Sequence, residues 1–318
     1  MLFKVATDRF TSRTVLSLST MKSSARTTFA WANTEKFEEA DIVLFGVPDE
    51  SHTHAHRYGT AKAPDHVRKI SVERGVFERG GAKTVSLPTM APLEPKIMDA
   101  GNIPRSKVSE FVEKVAREAK IPFMIGGDHS ITAEALKGFD KLGSKIGVVY
   151  FDSHPDFICS SRDYYGSVVC DISEYRNIDF STSLEIGVRD PEPEELLNLR
   201  RTHLQTINPI DLAEMGLRRT LDLIKDRVGD KIYLSFDMDV VDPAFAPGVS
   251  TPVPGGLSSS EALYLVREVS RLGLVGFDLM EVSPPYDVQD TTSHLAGRII
   301  LEAATGVKPK TKATLKAT

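Results

Sequence analysis

The chain has 318 residues, of which 41% are hydrophobic and 26% are charged, with a formal net charge of −5. This composition is typical of a globular protein with an ample core, and the negative charge argues against a nucleic-acid-binding protein while suiting a small cationic partner. Cys159 and Cys170 lack zinc-type spacing, so the sequence predicts neither a disulfide framework nor a cysteine metal site, and a reducing cytoplasm fits. No apolar run is long enough to span a bilayer, so no membrane partner is expected.

The first 35 residues are rich in serine, threonine and basic side chains, a composition that faintly suggests a transit peptide. Residues 2–5 open too abruptly for a targeting signal, so we predict that the segment 1–35 packs on the domain or forms a subunit contact. No internal repeat or low-complexity linker divides the remainder. We therefore predict a single domain over residues 36–318.

The predicted elements alternate between strands and helices. The apolar run Ala40–Pro48 is predicted as the first core strand, and the loop Asp49–Gly59 that follows it carries three histidines. Helices are predicted over residues 64–79, 104–120 and 290–305, with strands at 84–87, 96–99 and 274–282. Ser258 and Glu261 have the spacing of a capping box at the start of another helix. This alternation is typical of a mostly parallel sheet with helices on both faces.

Three predicted strands end in acidic and histidine side chains. In open α/β sheets the carboxyl ends of the strands build one site, so these side chains are expected to converge. They are His129 after the run 121–125, Asp152, His154 and Asp156 after the run 146–151, and Asp237 and Asp239 after the run 232–236. Six ligands are too many for one ion, and so many carboxylates would repel one another without cations, which favours a two-metal centre over a merely polar cleft. Carboxylate and imidazole ligands without sulfur suit Mn²⁺.

Three motifs resemble the signature motifs of the ureohydrolases, the arginase and agmatinase family. They are Ile125–Ser130, Asp152–Asp156 and Ser235–Gly248, in the order that the family has them. The segments Glu185–Arg189 and Phe277–Pro284 also match, and the resemblance spans residues 36 to 306. Among members of the family, the chain is most similar to the archaeal agmatinases. The resemblance implies a three-layer arginase-like fold with an eight-stranded, mostly parallel sheet.

The resemblance also implies two Mn²⁺ per chain and assigns their ligands. His129, Asp152, Asp156 and Asp237 would hold one ion, while Asp152, His154, Asp237 and Asp239 would hold the other. Two such ions lower the pKa of a bridging water, and the family uses the resulting hydroxide to attack a guanidinium carbon. Asp156 matches the group that moves the proton of that hydroxide. Glu281 matches the carboxylate that pairs with the guanidinium, a sound match for a planar cation.

One departure from the family concerns its proton-shuttle histidine. The matching position holds Tyr165, and a phenol with an ordinary pKa near 10 is a poor shuttle at neutral pH. His52, His54 and His56 are the available substitutes, since their loop aligns with a family segment that borders the active site. We expect at least one of them to reach the cleft, with His54 and His56 as catalytic candidates and Tyr165 lining the wall.

The sequence favours agmatine as the substrate, giving putrescine and urea and hence a place in polyamine biosynthesis. Formiminoglutamate or a guanidino acid stays open, because Arg57, Arg162 or Arg189 could receive a carboxylate. A third alternative is a weakly active protein of the same fold that serves as a binding or assembly subunit. The resemblance further implies a cytoplasmic homo-oligomer, a trimer or a hexamer.

Overall fold

The computed structural model describes residues 27–85, 93–202 and 204–309. Residues 1–26 of the predicted N-terminal segment and the end of the strand predicted at 84–87 therefore lie outside the described residues. Within the described part, residues 29–34 run beside the sheet. Phe29 is buried in the core, and its backbone N–H donates to Asp99 Oδ2 at 2.9 Å.

The centre of the fold is an eight-stranded sheet in which every pair of neighbouring strands is parallel. Ten strands occur in the described residues: β1 Ile42–Gly46, β2 Val76–Arg79, β3 Ala82–Val85, β4 Ile97–Asn102, β5 Ile121–Ile125, β6 Gly147–Phe151, β7 Leu184–Ile186, β8 Gln205–Ile207, β9 Ile232–Asp237 and β10 Leu274–Met280. The sheet order is β4-β1-β5-β10-β9-β6-β7-β8, and β2 and β3 form a separate hairpin. The predicted fold class is confirmed.

Helices cover both faces of this sheet. They are α1 Ala63–Gly75, α2 Val108–Arg117, α3 Ile131–Asp140, α4 Val168–Ile172, α5 Pro193–Thr202, α6 Pro209–Met215, α7 Leu217–Arg227, α8 Ser259–Ser270 and α9 Thr291–Gly306. Side chains of α1 and α6 to α9 pack with one set of alternate strand residues, and those of α2 to α4 pack with the other set. The capping box of α8 is present, with Ser258 and Glu261 bonding each other's backbone N–H. The core is therefore divided by the sheet into two apolar layers.

The helix predicted over 64–79 ends at Gly75, because the chain turns back in a hairpin. Arg79 pairs with Ala82, so the turn consists of Gly80 and Gly81. Both glycines have positive φ, at 58° and 79°, a conformation that suits the tight turns joining antiparallel strands. These two glycines indicate the hairpin, and the helix prediction did not take them into account.

Cys159 and Cys170 form a disulfide, contrary to the prediction from the sequence. Their separation of 11 residues fits no common motif, but the chain folds back from the end of β6 into α4 and brings their Cα atoms to 5.5 Å. That distance lies within the range that a disulfide spans. Among the described residues, no helix is both long and apolar enough to cross a membrane.

Candidate metal centre

The six predicted ligands follow strands that are neighbours in the sheet. The strands β5, β10, β9 and β6 lie side by side, and the ligands follow β5, β9 and β6 at their carboxyl ends. Gly127 lets the loop after β1 approach closely, since a Cβ there would overlap the carbonyl of Asp49. The structure therefore brings all six side chains to one edge of the sheet, beside the loop 49–59.

His129 lies at the centre of the first cluster. Its Nδ1 atom is 3.0 Å from Asp152 Oδ2, 2.9 Å from Asp237 Oδ2 and 3.6 Å from Asp156 Oδ2. All four side chains are buried. The ring of Tyr150 stacks on the imidazole at 4.6 Å, and its hydroxyl donates to Asp156 Oδ2 at 2.7 Å. Asp156 adopts a positive φ of 48°, an unfavourable backbone conformation that the contacts with these neighbours stabilise.

His154 lies in the second cluster. Its Nδ1 atom is 3.2 Å from Asp239 Oδ2 and 3.4 Å from Asp152 Oδ1. Asp152 thus presents one oxygen to each cluster, as a bridging ligand must. Ser153 donates from both its hydroxyl and its backbone N–H to Asp239 Oδ1, at 2.8 and 3.1 Å. The serine therefore orients a ligand carboxylate.

The electrostatics of these clusters fit divalent cations. Burial and repulsion from Asp152 raise the pKa of Asp156, and burial together with Asp239 and Asp152 raises the pKa of Asp237. Burial opposes the charged imidazole of His129, yet Asp152 and Asp237 raise its pKa well above the ordinary value. His129 Nδ1 and Asp152 Oδ2 are buried without a hydrogen-bond partner, and two groups of three ligand atoms lie within 4.8 Å of one another. A cation between them would satisfy these atoms and remove the repulsion.

A buried hydrogen-bond chain behind His129 fixes the orientation of its ring. Asp278 accepts from the Ser235 hydroxyl at 2.7 Å, and Ser235 Oγ lies 2.8 Å from His129 Nε2. Tyr233 and Thr132 also donate to Asp278, at 2.6 and 2.9 Å. Because Ser235 gives its proton to the carboxylate, it accepts the proton of Nε2, which leaves Nδ1 as the nitrogen that can offer a lone pair to a bound cation. This hydrogen-bond chain is not among the predictions from the sequence. The signal for it is that Ser235 and Asp278 are polar residues within apolar strand runs.

Glu281 follows β10 and lies next to the first cluster. It is buried, adopts a φ of 64°, and accepts the backbone N–H of His129 at 2.8 Å and the hydroxyl of Ser250. Burial and the nearby Asp128 raise the pKa of Glu281 to about 8. Its surroundings therefore favour the neutral carboxyl group, and a bound cation would favour the ionised form.

The wall beside the centre consists of Tyr164, Tyr165 and His54. The His54 ring stacks on Tyr164 with centroids 4.8 Å apart and meets the edge of Tyr165 at 6.3 Å. Burial, together with the acidic groups Asp156 and Glu281, raises the pKa of Tyr165 to about 12, so its phenol stays protonated at neutral pH. His54 and His56 are exposed on the rim.

The three arginines considered as carboxylate receptors have different surroundings. Arg189 donates to backbone carbonyls, including those of Asp239 at 2.8 Å and Val253 at 2.6 Å, so it holds the loop after β9. Arg162 pairs with Asp171 at 2.6 Å and with a second carboxylate at 3.0 Å. Arg57 lies over the ring of Tyr286, with its Cζ 5.3 Å from the centroid. Among the described residues, the Arg57 guanidinium has no carboxylate or carbonyl partner, unlike the guanidinium groups of Arg162 and Arg189.

Other functional-site features were also missed from the sequence. Glu185 is fully buried on β7, neither of its carboxylate oxygens has a hydrogen-bond partner, and it shares a small apolar cavity with Tyr150. Asp128 accepts the backbone N–H of His52 at 3.1 Å, and Asp242 accepts three backbone N–H groups in the loop after β9. Asp128 and Asp242 thus hold the backbone of neighbouring loops.

Comparison with known proteins places this site in a family. The Arginase family profile matches residues 40–306. The chain is 35% identical over 275 residues to proclavaminate amidinohydrolase of Streptomyces clavuligerus, covering 81% of this chain and 85% of that protein. It is 32% identical to an agmatinase of Neisseria meningitidis, covering 83% and 86%, and 30% identical to the human mitochondrial guanidino acid hydrolase, covering 83% and 78%.

Solved structures agree with these matches. Proclavaminate amidinohydrolase superposes with a TM-score of 0.77 at 32% identity, covering 89% of this chain and 97% of that one. The agmatine ureohydrolase of Thermoplasma volcanium superposes with a TM-score of 0.74 at 28% identity, covering 89% and 95%. The chain therefore belongs to the arginase family and is a ureohydrolase, an enzyme that acts on a C–N bond of a guanidino group.

Proposed function

We propose that this enzyme hydrolyses agmatine to putrescine and urea, with two Mn²⁺ held by the six clustered ligands. The observation that carries the proposal is the position of Glu281, a buried carboxylate beside the ligand cluster with aromatic rings on the same wall. A planar guanidinium pairs well with such a carboxylate, and a methylene chain ending in an ammonium group suits the faces of tyrosine rings.

The two clusters support the ligand roles that the family resemblance implies. His129, Asp152, Asp156 and Asp237 would hold one ion, and Asp152, His154, Asp237 and Asp239 the other. Two bound Mn²⁺ ions would supply a water of lowered pKa and neutralise the carboxylates. Asp152 and Asp237 belong to both sets, so each would bind both ions.

The chain's own side chains would position the substrate and move protons. Glu281 pairs with the guanidinium nitrogens and holds the central carbon over the cluster. Asp156, already in a hydrogen bond with Tyr150, accepts the proton of the attacking water. The C–N bond then breaks towards the amine, which needs a proton from Asp156 or from a rim histidine. His54, stacked on Tyr164, and His56 are our candidates for that donor, and Tyr165 lines the wall.

Arg57 favours a second candidate, hydrolysis of a guanidino acid. The Arg57 guanidinium lies over the ring of Tyr286. Arg57 belongs to the loop 49–59, which borders the centre. A substrate carboxylate could pair with it. Two of the relatives act, by their names, on proclavaminate and on a guanidino acid.

An assay with added Mn²⁺ that measures urea from agmatine, arginine and guanidinobutyrate, and formamide from formiminoglutamate, separates these substrates. We expect the highest kcat/KM for agmatine, with Arg57→Gln lowering turnover of guanidinobutyrate and leaving agmatine unaffected. If the parent prefers guanidinobutyrate and Arg57→Gln loses that preference, the substrate is a guanidino acid and not agmatine. Absence of urea from the guanidino compounds and of formamide from formiminoglutamate would favour the binding or assembly role. Cytoplasmic location and assembly as a homotrimer or homohexamer remain part of the proposal.

A further inference from the structure

The Cys159–Cys170 disulfide lies beside the candidate metal centre. Cys159 follows Asp156 by three residues and is exposed, whereas Cys170 is buried in α4. The segment that the disulfide closes, residues 160–169, contains Tyr164 and Tyr165. We propose that the disulfide is a reducible tether that positions these two tyrosines against the centre, so that a dithiol reductant weakens substrate binding.

The tethered segment forms the inner wall of the cleft and supports the histidine loop. Tyr164 and Tyr165 are half-buried and contact the His54 ring. The backbone N–H of Tyr165 donates to the His52 carbonyl at 3.3 Å, and His52 Nδ1 lies 2.8 Å from the carbonyl oxygen of Asp163. A displacement of the segment would therefore move the histidine loop as well as the tyrosines.

The other contacts of the segment constrain its tip only weakly. Arg162 pairs with Asp171 and Glu174, and Ser160 bonds Glu194, all on the protein surface where such pairs contribute little. Its shorter backbone bonds to the rest of the fold join the Val169 N–H to the Asp156 carbonyl at 2.9 Å and the Gly166 carbonyl to the Ile158 N–H at 3.1 Å, whereas the bond at its tip, from the Tyr165 N–H to the His52 carbonyl, is longer at 3.3 Å. The covalent link thus closes the base of the segment and limits the conformations of its tip.

The accessibility of the two sulfurs sets the course of reduction. A thiolate of the dithiol attacks the exposed Cys159 sulfur, the S–S bond breaks, and the electron pair leaves on the Cys170 sulfur, which takes up a proton. The second thiolate of the reductant then attacks the mixed disulfide, which releases Cys159 as a thiol and leaves the reductant as a cyclic disulfide. The protein gains two thiols, and the dithiol loses two.

The first test measures the tether without using activity. Alkylation of the denatured, air-exposed protein should label no thiol before reduction and two thiols per chain after it, with mass spectrometry as the readout. Limited trypsin digestion of the native protein should cut after Arg162 faster once a phosphine reductant, which binds metals weakly, has opened the disulfide. Two labelled thiols in the unreduced protein would overturn the proposal, as would an unchanged cutting rate.

The second test measures positioning and rests on the proposed function. If the reduced segment occupies the binding conformation for about a third of the time, KM should rise about threefold, with less change in kcat and with metal content unchanged. The Cys159→Ser/Cys170→Ala double variant should match the reduced parent and ignore the reductant, and Cys159→Ser alone replaces only an exposed side chain.

The outcomes separate the tether from the proposed function. Equal KM values for the oxidised and reduced parent would refute the positioning of the tyrosines. If no guanidino compound is hydrolysed, the proposed function fails, whereas the thiol count and the cutting rate after Arg162 still decide the tether.

Discussion

Replacement of Asp278 by asparagine should weaken metal binding although Asp278 is not a ligand. The carboxylate accepts hydrogen bonds from Ser235, Tyr233 and Thr132, at 2.7, 2.6 and 2.9 Å, and is fully buried. Asparagine offers one acceptor oxygen, and if that oxygen keeps the bonds from Tyr233 and Thr132, its N–H₂ donor faces the Ser235 hydroxyl. At least one hydroxyl then loses its acceptor.

The effect should reach the metal through the tautomer of His129. A Ser235 hydroxyl that no longer donates to Asp278 can donate to His129 Nε2, 2.8 Å away, which favours the tautomer with its proton on Nδ1. Nδ1 is the atom that lies 2.9 Å from Asp237 and 3.0 Å from Asp152. Loss of such an outer hydrogen-bond partner typically costs about 10-fold to 100-fold in metal affinity, or about 1.4 to 2.7 kcal/mol.

Competition for Mn²⁺ against a chromophoric chelator measures this affinity, and circular dichroism checks the fold. Tyr233→Phe is the matched control, since it removes one donor to Asp278 but keeps the link from Asp278 through Ser235 to His129. We expect near-parental affinity for the control. If Asp278→Asn folds and binds Mn²⁺ as the parent does, the tautomer argument is wrong, and equal losses in both variants would indicate a general packing effect.

Four further predictions follow from the site. Asp152→Asn should abolish urea release, because Asp152 presents an oxygen to each cluster, and metal analysis should find two Mn²⁺ in the parent; a fully loaded parent with one ion would contradict the binuclear centre. Glu281→Gln should cut turnover by about 30-fold to 1000-fold, the effect of about 2 to 4 kcal/mol, with metals retained; loss of metal instead would make Glu281 a ligand. Alanine at each histidine of the loop 49–59 should show at least one loss of turnover larger than that of Tyr165→Phe, and three parental rates would leave Asp156 or solvent as the proton donor. Glu185→Gln should raise the free energy of unfolding of the metal-stripped protein above pH 4.5, because burial, Asp152 and Asp156 raise the pKa of the folded Glu185 above the ordinary 4.5 and the parent must bind a proton to fold. In denaturant titrations this advantage should vanish below pH 4 and grow by about 1.4 kcal/mol per pH unit until the folded pKa is reached; a pH-independent difference would rule out a titration effect.

The ligands could be predicted from the sequence because each follows directly from its own strand. Asp152 and Asp237 come at the end of apolar runs, and alternation along the chain fixes the direction of the side chains that follow. The sheet needs only to be parallel for these ends to meet at one edge. The mostly parallel sheet and the convergence of the six ligands could thus be predicted from local patterns, whereas the number of eight strands came from the resemblance to the ureohydrolases.

The hydrogen-bond chain behind His129 could not be predicted in this way. Ser235 and Asp278 lie on strands that are neighbours in the sheet but far apart in sequence, and their partnership depends on the register in which Asp278 pairs with Ser235. The Cys159–Cys170 disulfide likewise depends on the turn of the chain from β6 into α4. In both cases the decisive information is the approach of two elements, which no single stretch of sequence contains.

The centre and its rim are held by different means, and this bears on how substrate choice is set. Each ligand lies at or just after a strand end, and buried side chains such as Asp278 orient the ligands from behind the site. A small displacement of a ligand would therefore leave buried polar groups without hydrogen-bond partners. Tyr164 and Tyr165 lie instead on a half-buried segment held by one disulfide, by polar contacts at the surface and by backbone bonds such as that from Tyr165 to His52. Changes in that segment can reshape the wall that meets the substrate without disturbing the centre. We therefore expect the reaction to depend on the strand ends, and the choice between a cationic and an acidic guanidino substrate to depend on the rim residues, Arg57 and the two tyrosines among them.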